Sequence, residues 1–135
     1  HASVILIHNL PEGSSHFDWL IDQPELDIEH RLISFRCQTR PDTHGLSEFA
    51  AERLPDHRAD YLTYEGPISN NRGSVDRIAS GTVLKLDQTA HSISVLIDWT
   101  SHSSSQLVSY KARQDPANPA LWKFTQHTPN SPLDA

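Results

Sequence analysis

Apolar and polar positions change their period several times along the chain. Val4 to His8 is a short apolar run that ends in the turn-rich NLPEGSS, so a strand followed by a loop is expected there. HFDWLID, from His16, reads as a second strand, and the two make a hairpin with an enlarged connection. EHRLISFRCQT alternates loosely and predicts a third strand. In THGLSEFAAERLP the period changes: Leu46, Phe49, Ala50 and Leu54 recur at helical spacing, Thr43 or Ser47 is placed to cap the start, and Pro55 stops it. A helix is therefore expected over 43–55. The strand period returns in ADYLTYEG, where Tyr61, Thr63 and Glu65 alternate with Leu62 and Tyr64. PISNNRGSVDRIAS reads as a long polar loop. GTVLKLDQ and HSISVLIDW are two clear strands separated by the short DQTA link, SSQLVSYKAR is another, and DPANPALW turns the chain into WKFTQH. No internal repeat is present, and residues 128–135 are expected to fray. The pattern predicts one mainly β domain over residues 1–135, a compact antiparallel β-barrel of about seven to eight strands with one main helix.

Composition narrows the function classes. The 135 residues are enough for one domain with a core, and 36% hydrophobic against 21% charged residues is a globular profile. No run approaches the ~20 apolar residues of a membrane span, and HASVILIHNL lacks the basic start and long apolar stretch of a secretory leader. Cys37 is the only cysteine, which excludes a disulfide framework and a multi-cysteine zinc site. A single thiol without a targeting signal fits a cytoplasmic protein. A formal net charge of −6 argues against broad coating of nucleic acid, but leaves room for a local basic pocket gripping one phosphate. The nine histidines, against no methionine, make histidine placement the feature to follow.

Three groupings stand out. In a hairpin, His8 falls opposite or diagonal to His16, and Asp18 shares the face of His16 because strand residues two apart point the same way. Two imidazoles and a carboxylate make an open three-ligand set suited to Mn²⁺, Fe²⁺ or Zn²⁺; the same residues also serve as ordinary polar groups on the wet face of a sheet. ERLPDHRADY gathers Arg53, Asp56, His57, Arg58 and Tyr61, a set able to hold an oxyanion such as phosphate, or simply a solvated helix end with surface ion pairs of little worth. In NNRGSVDRIASG, Arg72 and Arg77 flank a glycine, either clamping a polyanion or lying on a plain surface loop. Trp19, Trp99 and Trp122 are expected in the core. His102 beside Ser103 makes an unconvincing catalytic pair, with no G-x-S-x-G context.

Taken in order, the pieces "H…HFDWLID", "DHRADYLTYEGPI" and "SGTV" resemble the 3′-phosphoesterase domain of bacterial DNA ligase D, an end-healing module of double-strand break repair. The resemblance runs from about Ile7 to His127, where ALWKFTQH is similar to the family's last strand, and is most specific at Arg53, Asp56, His57, Tyr61, Tyr64, Glu65, Gly66 and Ile68. It implies an antiparallel barrel-like fold and Mn²⁺-dependent removal of a 3′-terminal ribonucleotide and a 3′-phosphate. Zn²⁺ or another divalent ion is the alternative cofactor. By position it implies His8, His16 and Asp18 as metal ligands, and Arg53, His57 and Tyr61 around the scissile phosphate. Arg40, Arg72 and Arg77 are weaker candidates for substrate contacts. The implied partners are DNA 3′ ends or primer-templates, with a separately encoded ligase or polymerase. Two family cations are replaced: Leu20 stands where the family has arginine, and Thr39 where it has lysine. Arg36 and Arg40 lie nearby but out of register. Loss of one charge-assisted donor can lower a rate by ~10²-fold or more. The competing expectations are therefore a weakened or inactive relative that binds DNA ends or recruits a partner protein, and a hydrolase of small phosphoesters.

Overall fold

The computed structural model describes residues 1–100 and 106–129; His102 and Ser103, and most of the expected tail, lie outside the described residues. Nine strands follow one another: β1 Ala2–Asn9, β2 Ser15–Asp22, β3 His30–Cys37, β4 Glu48–Arg58, β5 Gly66–Pro67, β6 Ser74–Gln88, β7 Ser92–Trp99, β8 Gln106–Gln114 and β9 Leu121–His127. They pair in the order β1-β2-β3-β4-β9-β8-β7-β6, and β6 returns to β1, so eight strands close an antiparallel barrel while β5 hooks onto β6 alone. The expected barrel is therefore observed. No helix among the described residues is long and apolar enough to cross a membrane.

Three local expectations are corrected. The helix over 43–55 does not form; Glu48–Arg58 is strand β4, paired to β9 through Glu48–Glu52 and to β3 through Ala51–Arg58. The two ladders overlap at Ala51 and Glu52 and together span the strand, and tertiary pairing overrides a coincidental helical spacing. Pro55 ends no helix: it falls where the β3 register skips between Leu54 and His57, so its missing N–H breaks no rung. ADYLTYEG is not a strand; Ala59–Leu62 is a single 3₁₀ turn, and this turn is the only helical element among the described residues. NNRGSVDRIAS is half strand, because β6 already begins at Ser74.

β6 pairs with β1 through Ser74–Thr82 and with β7 through Gly81–Gln88. Gly81 sits at the handover, where a Cβ would lie 2.7 Å from the Asp98 carbonyl oxygen. Only glycine allows that approach.

The interior is aromatic. Trp19, Phe35, Trp99, Tyr110, Trp122 and Phe124 are all buried among Ile5, Ile21, Ile33 and Ile97. The Trp19 and Tyr110 rings lie 4.7 Å apart, and Phe35 meets Phe124 edge-on at 5.0 Å. Trp19 Nε1 donates to Ser3 Oγ, and Trp99 Nε1 donates to the Tyr110 hydroxyl, which donates to the Pro41 carbonyl. All three tryptophans are core residues, as expected.

A second, smaller cluster lies on the other face of β1–β3: Val4, Leu6, Leu20, Leu32 and Val75, covered by Tyr61, Leu62 and Ile68. Residues 59–73 thus form a roof over the outer side of these strands. This explains why β1 carries a continuous apolar run and why β2 is buried at both parities. The roof returns to the barrel through a turn in which Asn70, Asn71 and Gly73 have φ of 62°, 55° and 90°. Asparagine and glycine are the residues that adopt this left-handed region at least cost.

Candidate functional site

The β1–β2 hairpin turns through Leu10–Ser14, where Leu10 N–H bonds the Ser14 carbonyl at 2.8 Å. Its register sets His8 directly opposite His16 and Leu6 opposite Asp18. The two imidazole rings lie 4.7 Å apart, edge to face. His8 Nδ1 is 3.2 Å from Asp18 Oδ2, and His16 Nε2 is 3.0 Å from Asp18 Oδ1. One ligand atom from each residue lies within 4.8 Å of the others, and this is the only such His/Cys/Asp/Glu grouping among the described residues.

The triad faces the roof, not the barrel interior. Trp19 and Ile21 fill the core, while His16, Asp18 and Leu20, of the alternate parity, point outward and are buried. Two features suit a cation. His16 Nε2 and Asp18 Oδ1 are buried atoms with no hydrogen-bond partner, despite their 3.0 Å separation. The two atoms face each other as a close contact without good hydrogen-bond alignment, an arrangement that a cation between them would satisfy. His8 Nε2–H donates to the Arg72 carbonyl at 2.7 Å. That bond fixes the ring orientation and turns Nδ1 toward Asp18, the support that metal-binding histidines typically have. The left-handed turn at Asn70–Gly73 is what presents this carbonyl. Burial holds His16 below the ordinary histidine range; the Asp18 charge opposes this, and Arg36 and His8 add to it.

A cavity of about 580 Å³ opens beside the triad, lined by His8 and Asp18 and by Arg36, His57, Arg58, Tyr61 and Arg72 among others. His57 Nδ1–H donates to the Pro55 carbonyl at 2.9 Å, which leaves Nε2 as the ring nitrogen outside that bond. The His57 and Tyr61 rings lie 5.7 Å apart. The structure therefore brings His8, His16, Asp18, His57, Tyr61 and Arg72 together.

It does not bring in the rest. Arg53 lies over the Phe35 and Trp122 rings at 5.3 and 5.7 Å and reaches Asp56 at 3.5 Å, outside the cavity lining. Helical spacing would have placed Arg53 and His57 on one face; in β4, Arg53 pairs with the inward Phe35 and His57 with the outward Leu32. Arg40 is spent on Asp42, with both contacts at 2.9 Å. Arg77 holds the roof, donating to the Leu62 carbonyl at 3.1 Å while its N–H bonds Glu65. Leu20 is fully buried in the outer apolar cluster. Arg36, which looked out of register, stands directly across from Asp18 on β3; the loop between β2 and β3 hides that register from the sequence.

No protein-family model and no curated protein matches the chain, so the likeness to the ligase D phosphoesterases rests on its motifs alone.

Proposed function

We propose that this protein is a divalent-metal-dependent phosphoesterase acting at DNA 3′ ends, removing a terminal ribonucleotide, a 3′-phosphate or both in end repair. The observation that carries the reading is the convergence of His16 Nε2 and Asp18 Oδ1, buried and unpartnered, beside a cavity edged by His57 and Tyr61. The motif resemblance supports the substrate class. Mn²⁺ fits the mixed nitrogen–oxygen set, and Zn²⁺ is the alternative.

His8, His16 and Asp18 would hold the ion, which supplies Lewis acidity toward a phosphoryl oxygen and acidity to a bound water. His57, anchored through Nδ1, presents Nε2 to give a proton to the leaving oxygen, a task within the reach of a histidine near neutral pH. The Tyr61 hydroxyl orients an oxygen of the phosphate. Arg72 lies at the cavity wall, with its guanidinium turned to Ser69 at 2.8–3.0 Å, and is placed to meet the polyanionic strand. The roof limits water around the reacting centre and thereby strengthens each charge–charge interaction there. A separately encoded ligase or polymerase would take over the healed end.

A second reading is favoured by Leu20 and Arg53. The first is an apolar plug where the family has a cation, and the second is engaged with Asp56 and two aromatic rings. Both features fit a DNA-end-binding or recruiting module that keeps the metal and has lost turnover.

Incubation of the purified protein with Mn²⁺ and primer-templates ending in a ribonucleotide or a 3′-phosphate separates the two. Trimming that disappears in His16→Ala supports the hydrolase. Mn²⁺ binding that needs His16 and Asp18 without any trimming supports the module. Trimming that survives His16→Ala overturns the site.

A further inference from the structure

We infer that Arg36 is the cation that grips the substrate oxyanion, replacing from strand β3 the charge that Leu20 has removed from β2. The inference rests on the metal-site reading above and adds a residue to it. Three observations converge. Arg36 is the direct cross-strand partner of Asp18, so its side chain leaves the sheet on the ligand face. It lines the cavity together with His57 and Tyr61. Its guanidinium is underused: Nε is buried with no hydrogen-bond partner, and Nη1 makes only a long ion pair to Glu52, at 3.8 Å.

A guanidinium carries five N–H donors in a planar fork that matches two oxygens of a phosphate. One held beside a metal-binding carboxylate, with its inner N–H unsatisfied, is preorganised for an anion bridging it and the metal-binding triad. A purely structural arginine in this position would close on Glu52, its neighbour across β3 and β4. The 3.8 Å separation leaves that pair loose, and such half-exposed pairs contribute little to stability. Leu20 cannot serve the same purpose; Arg40 is held by Asp42, and of the other arginines at the cavity Arg58 is paired with Glu29 and Arg72 is bonded to Ser69.

The test is inorganic phosphate titrated by calorimetry into the Mn²⁺-loaded protein, with Mn²⁺ affinity measured alongside. Arg36→Ala should weaken phosphate binding by ~10- to 100-fold, the loss of a charge-assisted contact, with Mn²⁺ affinity unchanged within about twofold. Arg36→Lys should retain part of the binding, since it keeps the charge and loses the fork. Glu52→Gln should tighten phosphate severalfold by releasing the guanidinium. The last two variants keep the test decisive should Arg36→Ala fold poorly.

Wild-type protein that takes up no phosphate, or phosphate binding indifferent to all three substitutions, overturns the inference. A fall in Mn²⁺ affinity that parallels the loss of phosphate also overturns it, because Arg36 would then act only by holding Asp18. If phosphate needs Arg36 but neither 3′ end is trimmed, the clamp stands and the hydrolase reading falls.

Discussion

The flank at β2 and the flank at β9 share one aromatic interior but differ on the outside. On β9 the pattern is simple: Trp122 and Phe124 are buried, while Lys123, Thr125 and His127 stand in water. On β2 both parities are buried, because residues 59–73 roof the outer face. A histidine on the bare flank keeps its hydration. On the roofed flank, His16 Nε2 and Asp18 Oδ1 are buried and face each other at 3.0 Å without a well-aligned hydrogen bond. The difference teaches that one short excursion of chain turns an ordinary sheet exterior into a place where charge is expensive, and hence where an ion of opposite sign binds strongly.

The comparison breaks most completely if the roofed polar groups are removed. Asp18→Ala should lower Mn²⁺ affinity by more than ~10²-fold, beyond what loss of a supporting contact achieves, and His127→Ala on the bare flank should leave it unchanged; calorimetry reads both. Leu20→Arg should instead destabilise the fold by ~3–5 kcal/mol, since it buries an unpaired charge in an apolar cluster; urea unfolding measures the loss. Gly73→Ala probes the roof's return. A Cβ there would sit 1.9 Å from the Asn9 carbonyl oxygen, at a φ of 90°. The turn must shift, the Arg72 carbonyl must leave His8, and Mn²⁺ affinity should fall by ~10- to 100-fold.

The smallest effect belongs to the interior shared by both flanks. Burial pushes the Cys37 thiol up to about 12. Its folded value lies above its unfolded one, so its contribution is complete below about pH 8.5 and is lost as pH rises from there toward the folded value. The native thiol should resist a disulfide reagent at pH 8 and react only after unfolding.

Much of the site was legible because strand parity is a short-range rule. His8, His16 and Asp18 lie on one hairpin, and an estimate of its register needs only the turn. The barrel was legible from the count of alternating runs. What was not legible depended on partners distant in sequence. Leu46, Phe49, Ala50 and Leu54 satisfy a helical period, yet neighbours on both sides make 48–58 a strand. Arg53 and His57 were grouped by their closeness in ERLPDHRADY and by the motif resemblance, neither of which shows the register skip at Pro55 that sets them on opposite faces. Arg36 was passed over because nothing in the sequence shows which residue of β3 faces Asp18. The roof was invisible for the same reason: ADYLTYEG alternates acceptably, and only the apolar outer face of β1–β3 explains why it folds back.

All three candidate ligands come from residues 8 to 18, whereas the seam that closes the barrel joins β1 to partners 65 to 80 residues further along the chain. Short loops close at little entropic cost and hairpins form within microseconds, while distant pairings come late. The corner that carries His8, His16 and Asp18 can therefore assemble while most of the cylinder is still open. A cation captured at that stage would act on the order of folding as well as on its end point, biasing the first hairpin toward the register on which every later strand must align.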